Sequence, residues 1–194
     1  LKDVKFLLNP YDFTVNITTK NPTILLGDNK LQIESVKTNI FLKSLYFEEF
    51  SMDDLQISTK AIKLNDIILL AKSFKNSIEL FLLDRVIKDG FLIADIKLKF
   101  DNEGKVKDDY QINGFVKNAK LKFLNKLTTK NLNLKFAIFK NKYSLTKVKT
   151  DINGIKLSSS LIEINEDNGL YSIKGKILTN KKDFSRDQLN AIPF

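Results

Sequence analysis

The sequence predicts a mainly β protein: a large antiparallel sheet carrying one or two short amphipathic helices near residues 64–88. Three observations lead there. Apolar and polar side chains alternate over long stretches, Asx-Gly pairs punctuate those stretches, and in two places the apolar spacing changes to that of a helix.

The alternation is clearest in Leu132-Asn133-Leu134-Lys135-Phe136-Ala137-Ile138, where every even position is apolar. Ile96-Lys97-Leu98-Lys99-Phe100 and Leu31-Gln32-Ile33 repeat the pattern. Successive side chains on a strand point to opposite faces, so each segment has one apolar and one polar side. Between such segments lie Gly27-Asp28-Asn29, Asp101-Asn102-Glu103-Gly104, Asn153-Gly154 and Asp167-Asn168-Gly169. These residues tolerate the positive φ of tight hairpin turns. The expected strands lie near 91–101, 107–117, 119–124, 130–139, 142–152, 154–164 and 170–178.

Leu64, Ile67, Ile68, Ala71 and Phe74 instead recur with helical spacing, with Asn65 or Asp66 near the start. Ile78, Phe81, Leu82 and Val86 form a second such set, with Ser77 as N-cap and Gly90 as the C-terminal stop. The competing reading is a hairpin across Asp89-Gly90 with 81–87 as a strand. The unbroken run Leu80 to Leu83 favours the helix. A helical turn around Phe41–Phe47 is a further candidate. The alternation fades at Asn180-Lys181-Lys182-Asp183, so residues 1–180 read as one β unit and 181–194 as a linker or the start of a next repeat. Leu1 in place of Met suggests a segment of a longer protein.

Composition narrows the chemistry. The 194 residues include no Cys, no His and no Trp, which removes thiolate nucleophiles, disulfides, zinc knuckles and the commonest general base. There is no Walker A sequence and no G-x-G-x-x-G, and Ser158-Ser159-Ser160 lacks an elbow glycine pattern. Asp101, Glu103, Asp108 and Asp109 cluster around Gly104 without calcium-loop spacing, and Glu48, Glu49, Asp53 and Asp54 read as a turn. The expectation is a non-catalytic chain that needs no cofactor and no metal. No apolar run approaches the roughly 18 residues that span a bilayer.

The net charge of +9 is carried almost wholly by lysine, and residues 110–150 hold ten lysines and no Asp or Glu. Lys120, Lys122 and Lys135 alternate with Leu121, Phe123, Leu134 and Phe136, which places them on the face opposite the apolar one. A solvated outer face explains them most simply, with anionic headgroups as the functional alternative. Nucleic acid is not expected. The aromatics sit on the other face, and arginine is scarce.

What covers the apolar face is the open question. A second sheet or the helices could close it into a core, and periodicity alone favours that closed sandwich. Otherwise Ile96, Leu98, Phe100, Leu121, Phe123, Leu132, Leu134, Phe136 and Ile138 line a surface for apolar material, lipid acyl chains above all.

Five phrases bear on that choice. Leu8-Asn9-Pro10-Tyr11-Asp12-Phe13 and Asn21-Pro22-Thr23-Ile24-Leu25-Leu26 lead into Val36-Lys37-Thr38-Asn39-Ile40-Phe41-Leu42-Lys43-Ser44-Leu45. Later come Phe100-Asp101-Asn102-Glu103-Gly104 and Tyr110-Gln111-Ile112-Asn113-Gly114-Phe115-Val116 with Lys117-Asn118-Ala119. Together they resemble the AsmA-like family, the TamB- and YhdP-type lipid-transport proteins of Gram-negative bacteria. That resemblance covers most of the chain and implies a long, curved antiparallel sheet with a hydrophobic, taco-like groove. It further implies phospholipid acyl chains as partners, transit towards the outer membrane, and a periplasmic location. The inner-membrane tether would lie outside this segment.

Overall fold

The computed structural model describes residues 3–26, 29–43, 52–74, 78–123, 128–180, 183 and 185. Over them the chain is mainly β. The strands β1 (Val4–Asn9), β2 (Thr14–Lys20), β3 (Thr23–Leu26), β4 (Asn29–Phe41) and β5 (Met52–Thr59) come first. A short β6 (Ile62–Lys63) leads into two helices, α1 (Leu64–Phe74) and α2 (Ile78–Val86). Strands resume as β7 (Ile87–Lys99), β8 (Gln111–Lys122), β9 (Thr128–Phe139) and β10 (Lys142–Ile152). The last are β11 (Ile155–Asp167), β12 (Leu170–Gly175) and β13 (Leu178–Thr179).

Hydrogen bonding follows the order β1-β2-β4-β5-β7-β8-β9-β10-β11-β12, with β3 added to β4, β6 to β7 and β13 to β11. The sheet is open, since β1 and β12 stand at the two ends of that order. The chain forms two compact units. Unit 1 comprises 1–60, 93–113 and 137–140, and unit 2 comprises 61–92, 114–136 and 141–194. β7, β8 and β9 each contribute residues to both.

Turn chemistry explains the C-terminal meander. Asn153 and Gly154 take φ of 49° and 85°, and Asn168 and Gly169 take 49° and 79°. Positive φ at both central positions is the type I′ geometry whose twist matches that of paired strands. Accordingly Ile152 pairs with Ile155, and Asp167 with Leu170, across two-residue loops. Asp151 Oδ1 also accepts from Gly154 N at 2.7 Å.

In unit 1, Asn21-Pro22 separates β2 from β3, which pair with successive parts of β4. Proline has no N–H to give a ladder. At that break Asn21 N donates to Glu34 O at 2.8 Å and Ile33 N to Pro22 O at 3.0 Å, and on the β5 side β4 carries a bulge between Ile33 and Ser35. Beside the bulge sits a small core. Leu31 and Ile33 are buried, and Thr59 Oγ1 accepts from Ala94 N at 2.8 Å.

The acidic cluster around Gly104 forms a turn. Asp101 Oδ1 accepts from Glu103 N at 3.0 Å and Lys105 N at 2.8 Å, and Phe100 bridges Val106. Beside it, Lys99 donates to Asp109 Oδ2 at 2.7 Å. That hydrogen bond holds the Asp109 carboxyl below its ordinary value of 3.8 and raises Lys99 above its own. The contribution of Asp109 is therefore present above its ordinary value and fades as pH falls through the lowered one. In a carboxyl-carbon NMR titration, Lys99→Met should return Asp109 to the ordinary range. An unmoved midpoint would refute the assignment.

Several expectations need correction. Residues 107–117 and 119–124 were expected as separate strands, whereas Gln111–Lys122 is one. Gly90 does not stop a helix. α2 ends at Val86, and Gly90 lies within β7 at φ 132°. Asp53 and Asp54 belong to β5 rather than to a turn. Leu42 and Lys43 are helical, while the rest of the 41–47 turn beyond residue 43 lies outside the described residues. So do Gly27-Asp28, Glu48, Glu49, Ser77 and all of 181–194 except Asp183 and Ser185.

Candidate apolar binding face

Register assigns the paired side chains of β1, β2, β4, β5 and β7 in unit 1 to a face, because directly paired residues in an antiparallel ladder point the same way. Phe6 pairs with Ile17, Ile17 with Thr38, Thr38 with Leu55, and Leu55 with Leu98. The adjacent row reads Val4, Thr19, Val36, Ile57, Ile96. On the other flank Leu8, Val15 and Ile40 continue the same face. Ile33 lies on it too, because across the bulge at Glu34 Ile33 pairs with Thr59 and Val36 with Ile57, and Thr59 and Ile57 share one face of β5.

The reverse face is polar almost throughout. One row is Lys5, Thr18, Lys37, Gln56, Lys97, and its neighbour runs Leu7, Asn16, Asn39, Asp54, Lys99. Gln56 Nε2 donates to Asp54 Oδ2 at 2.9 Å along that face. Five strands thus separate greasy from wet side chains.

The apolar face of unit 1 is incompletely covered. Val15, Ile17, Val36, Ile40, Leu55, Ile57, Ile96 and Leu98 are half-buried. At the β1 end, Phe6 is 68% exposed and Leu8 59% exposed. A residue sealed between two layers would lose nearly all its contact with water. Each buried methylene is worth about 0.8 kcal/mol, so such a face gains by meeting something apolar.

Unit 2 has its own face. Tyr143 pairs with Ile164 and Ile164 with Ile173, while Leu145 pairs with Ile162 and Ile162 with Gly175. In β8 to β11 the burial alternation slips by one residue, and the slips lie near one another. The exposed doublets are Lys117-Asn118, Lys130-Asn131 and Ser160-Leu161, and in β10 the change falls at Lys147. Asn118, Asn131 and Lys147 all have φ between 52° and 54°. These left-handed residues coincide with the slips, and the β10–β11 register runs unshifted past Lys147. Neighbouring slips are tied together. Asn118 N donates to Asn133 Oδ1 at 3.1 Å, Asn133 Nδ2 to Asn131 O at 2.7 Å, and Thr150 Oγ1 to Lys130 O at 3.4 Å. Apolar residues out of phase in sequence, such as Val116 and Ala119, therefore both turn away from solvent.

The residues expected to line a groove divide between the units. Ile96, Leu98, Phe100 and Ile138 belong to unit 1, whereas Leu121, Phe123, Leu132, Leu134 and Phe136 belong to unit 2. All are half-buried except Phe123, which is exposed beyond the end of β8. Lys120, Lys122 and Lys135 are exposed, and the Lys135 ammonium stands 5.1 Å from the Phe115 ring centroid. Of the amphipathic helix set, Leu64 and Ile68 are buried and Ile67 half-buried, while the side chains of Ala71 and Phe74 lie outside the described residues. Sequence reading missed Val4, Phe6, Leu8, Val15, Ile17, Leu55 and Ile57 as lining residues. Their period-two spacing was the available signal.

A depression of about 400 Å³ also lies in unit 2, lined by Asn131, Asn133, Lys149 and Lys156 together with Leu157 and Leu178. No described helix is long and apolar enough to cross a membrane. Comparison with protein-family models, curated proteins and solved structures yields no match to this chain.

Proposed function

We propose that this chain is a non-catalytic lipid-sheltering segment whose sheet faces take up phospholipid acyl chains. The observation that carries the reading is the unit 1 face: its apolar side chains, sorted by register over five strands, are mostly half-buried and at the β1 end exposed behind a polar reverse side, while Thr19, Ile33 and Thr38 on it are buried. Acyl chains suit such a surface because it offers area without directed bonds, and burial scales with apolar area. Headgroups would remain in water at its rim. The resemblance to AsmA-like proteins points the same way and suggests lipid transit between the inner and outer membranes. In that setting the segment is periplasmic and tethered by a part of the protein outside it.

Native mass spectrometry of the purified chain should find co-purified phospholipid. Phe6→Asp combined with Leu8→Asp should leave the chain folded, since both side chains are already exposed, and reduce the bound lipid severalfold. Leu134→Asp tests unit 2 in the same way. The proposal fails if the unsubstituted chain carries no lipid, or if folded variants carry as much as before. Unfolding of Leu134→Asp would instead identify the unit 2 face as closed core, because an unpaired buried charge is strongly destabilising.

A further inference from the structure

The two helices display an apolar surface unlike the sheet faces. On α2, Ile78 is 71% exposed, Leu82 53% and Phe81 47%. With Arg85 they fall at i, i+3, i+4 and i+7, which makes one helical stripe. Leu69 of α1 is exposed as well. Two cations border the stripe. The Arg85 guanidinium stacks 4.5 Å from the Phe81 ring centroid, and the Lys72 ammonium lies 6.0 Å from the same ring. Lys72 is also bonded to Asp84 at 2.5 Å, which ties α1 to α2.

The chemistry of that border is selective. Lys and Arg together number 32, and only Arg85 and Arg186 are arginine. A guanidinium held over a ring keeps N–H groups suited to contact with phosphate. Residues 63–88 contain Lys63, Lys72, Lys75, Arg85 and Lys88 against Asp66, Glu79 and Asp84. An apolar stripe with long cations at its edge matches the boundary between acyl chains and anionic headgroups, where the stems lie in the apolar zone and the charges reach the phosphates. An apolar groove on a protein would not call for the cations.

We infer that α1 and α2 dock on an anionic bilayer surface, with Ile78, Phe81 and Leu82 entering the acyl boundary and Arg85 and Lys72 at the phosphate level. This contact uses no residue of the sheet faces and stands apart from the lipid-sheltering reading. It assigns the chain a place to rest on a membrane rather than a way through one.

The chain has no tryptophan, so Leu82→Trp installs a single fluorophore in the stripe. Vesicles of phosphatidylcholine mixed with phosphatidylglycerol should shift its emission to the blue and co-sediment the full chain, and vesicles of phosphatidylcholine alone should do so far less. Ile78→Glu with Phe81→Glu, in the Leu82→Trp background, should weaken binding about a hundredfold. Arg85→Gln should weaken it about fivefold, and raised salt should weaken it further. The shift should survive Phe6→Asp with Leu8→Asp, which separates this contact from the sheet-face proposal. If Leu82→Trp does not fold, Ile78→Trp gives the same readout at a more exposed position. No shift with either vesicle, an equal shift with both, or a shift that follows protein concentration without vesicles would overturn the inference. The last result would mark the stripe as a contact between copies of the chain.

Discussion

Gly90→Ala is expected to cost on the order of 3 kcal/mol, a large fraction of the stability of an ordinary domain. Two independent effects add. At φ 132° an alanine would be strained whatever space surrounded it. Its Cβ would also lie 2.7 Å from the Ala119 Cα and 2.9 Å from both the Ala119 Cβ and Leu64 Cδ1. The nearest of these atoms is backbone, so β7 and β8 would have to separate rather than a side chain turn aside. Urea unfolding should show a lowered midpoint with little change in slope. Ala119→Gly in the same background should recover only part of the loss, since the clash with the residue 119 backbone and the strain both persist. An unchanged midpoint in Gly90→Ala would disprove the close approach of β7 and β8.

Ile33→Asp should unfold unit 1, while Leu8→Asp on the same face should change stability by no more than about 0.5 kcal/mol. Ile33 is 2% exposed, wedged beside the β4 bulge opposite Thr59, and an ionised carboxylate there has no water to reach. Leu8 is in strand β1 at one end of the strand order and already faces solvent. Thermal denaturation followed by circular dichroism reads both. Equal losses at the two positions would mean that the face is sealed, and the lipid reading would go with it. The contrast matters because both residues are aliphatic members of one alternating pattern and differ only in what covers them.

That difference is what the sequence withheld. Alternation made β7, β9, β10 and β11 legible but only Leu31–Ile33 of β4, and Asn153-Gly154 and Asn168-Gly169 marked two hairpins whose φ angles follow from those residue types. The α1 pattern was equally direct, with Leu64 and Ile68 recurring on the buried side. Errors arose where one local signal had two physical causes. The phase slip at Lys117-Asn118-Ala119 is visible, but a chain reversal and a left-handed residue within a strand produce the same slip. Asn118 is tolerated at positive φ inside a strand, so the strand continues. Gly90 was read as a helix stop because glycine serves there commonly. Glycine is needed there for two other reasons, its φ of 132° and the Ala119 and Leu64 atoms that a Cβ would meet. Asp53 and Asp54 looked like turn residues because acidic pairs favour turns, yet the β5 register with β4 and β7 overrode that preference. Periodicity ranks faces but carries no information about cover, so the exposure of Phe6 and Leu8 could come only from coordinates.

The two-residue loops of the C-terminal meander also set a timetable. β10, β11 and β12 meet partners that follow almost immediately in the chain, so little loop entropy opposes their pairing. β5 must instead wait for β7, whose pairing residues lie beyond β6 and both helices. Hairpin closure takes microseconds, whereas distant pairing is slower because a long loop must first be drawn in. The meander should therefore be the early scaffold, and the β5–β7 seam the late step. Until that seam closes, β5 keeps one edge unpaired, and this interval is when the chain is most prone to stick to its neighbours.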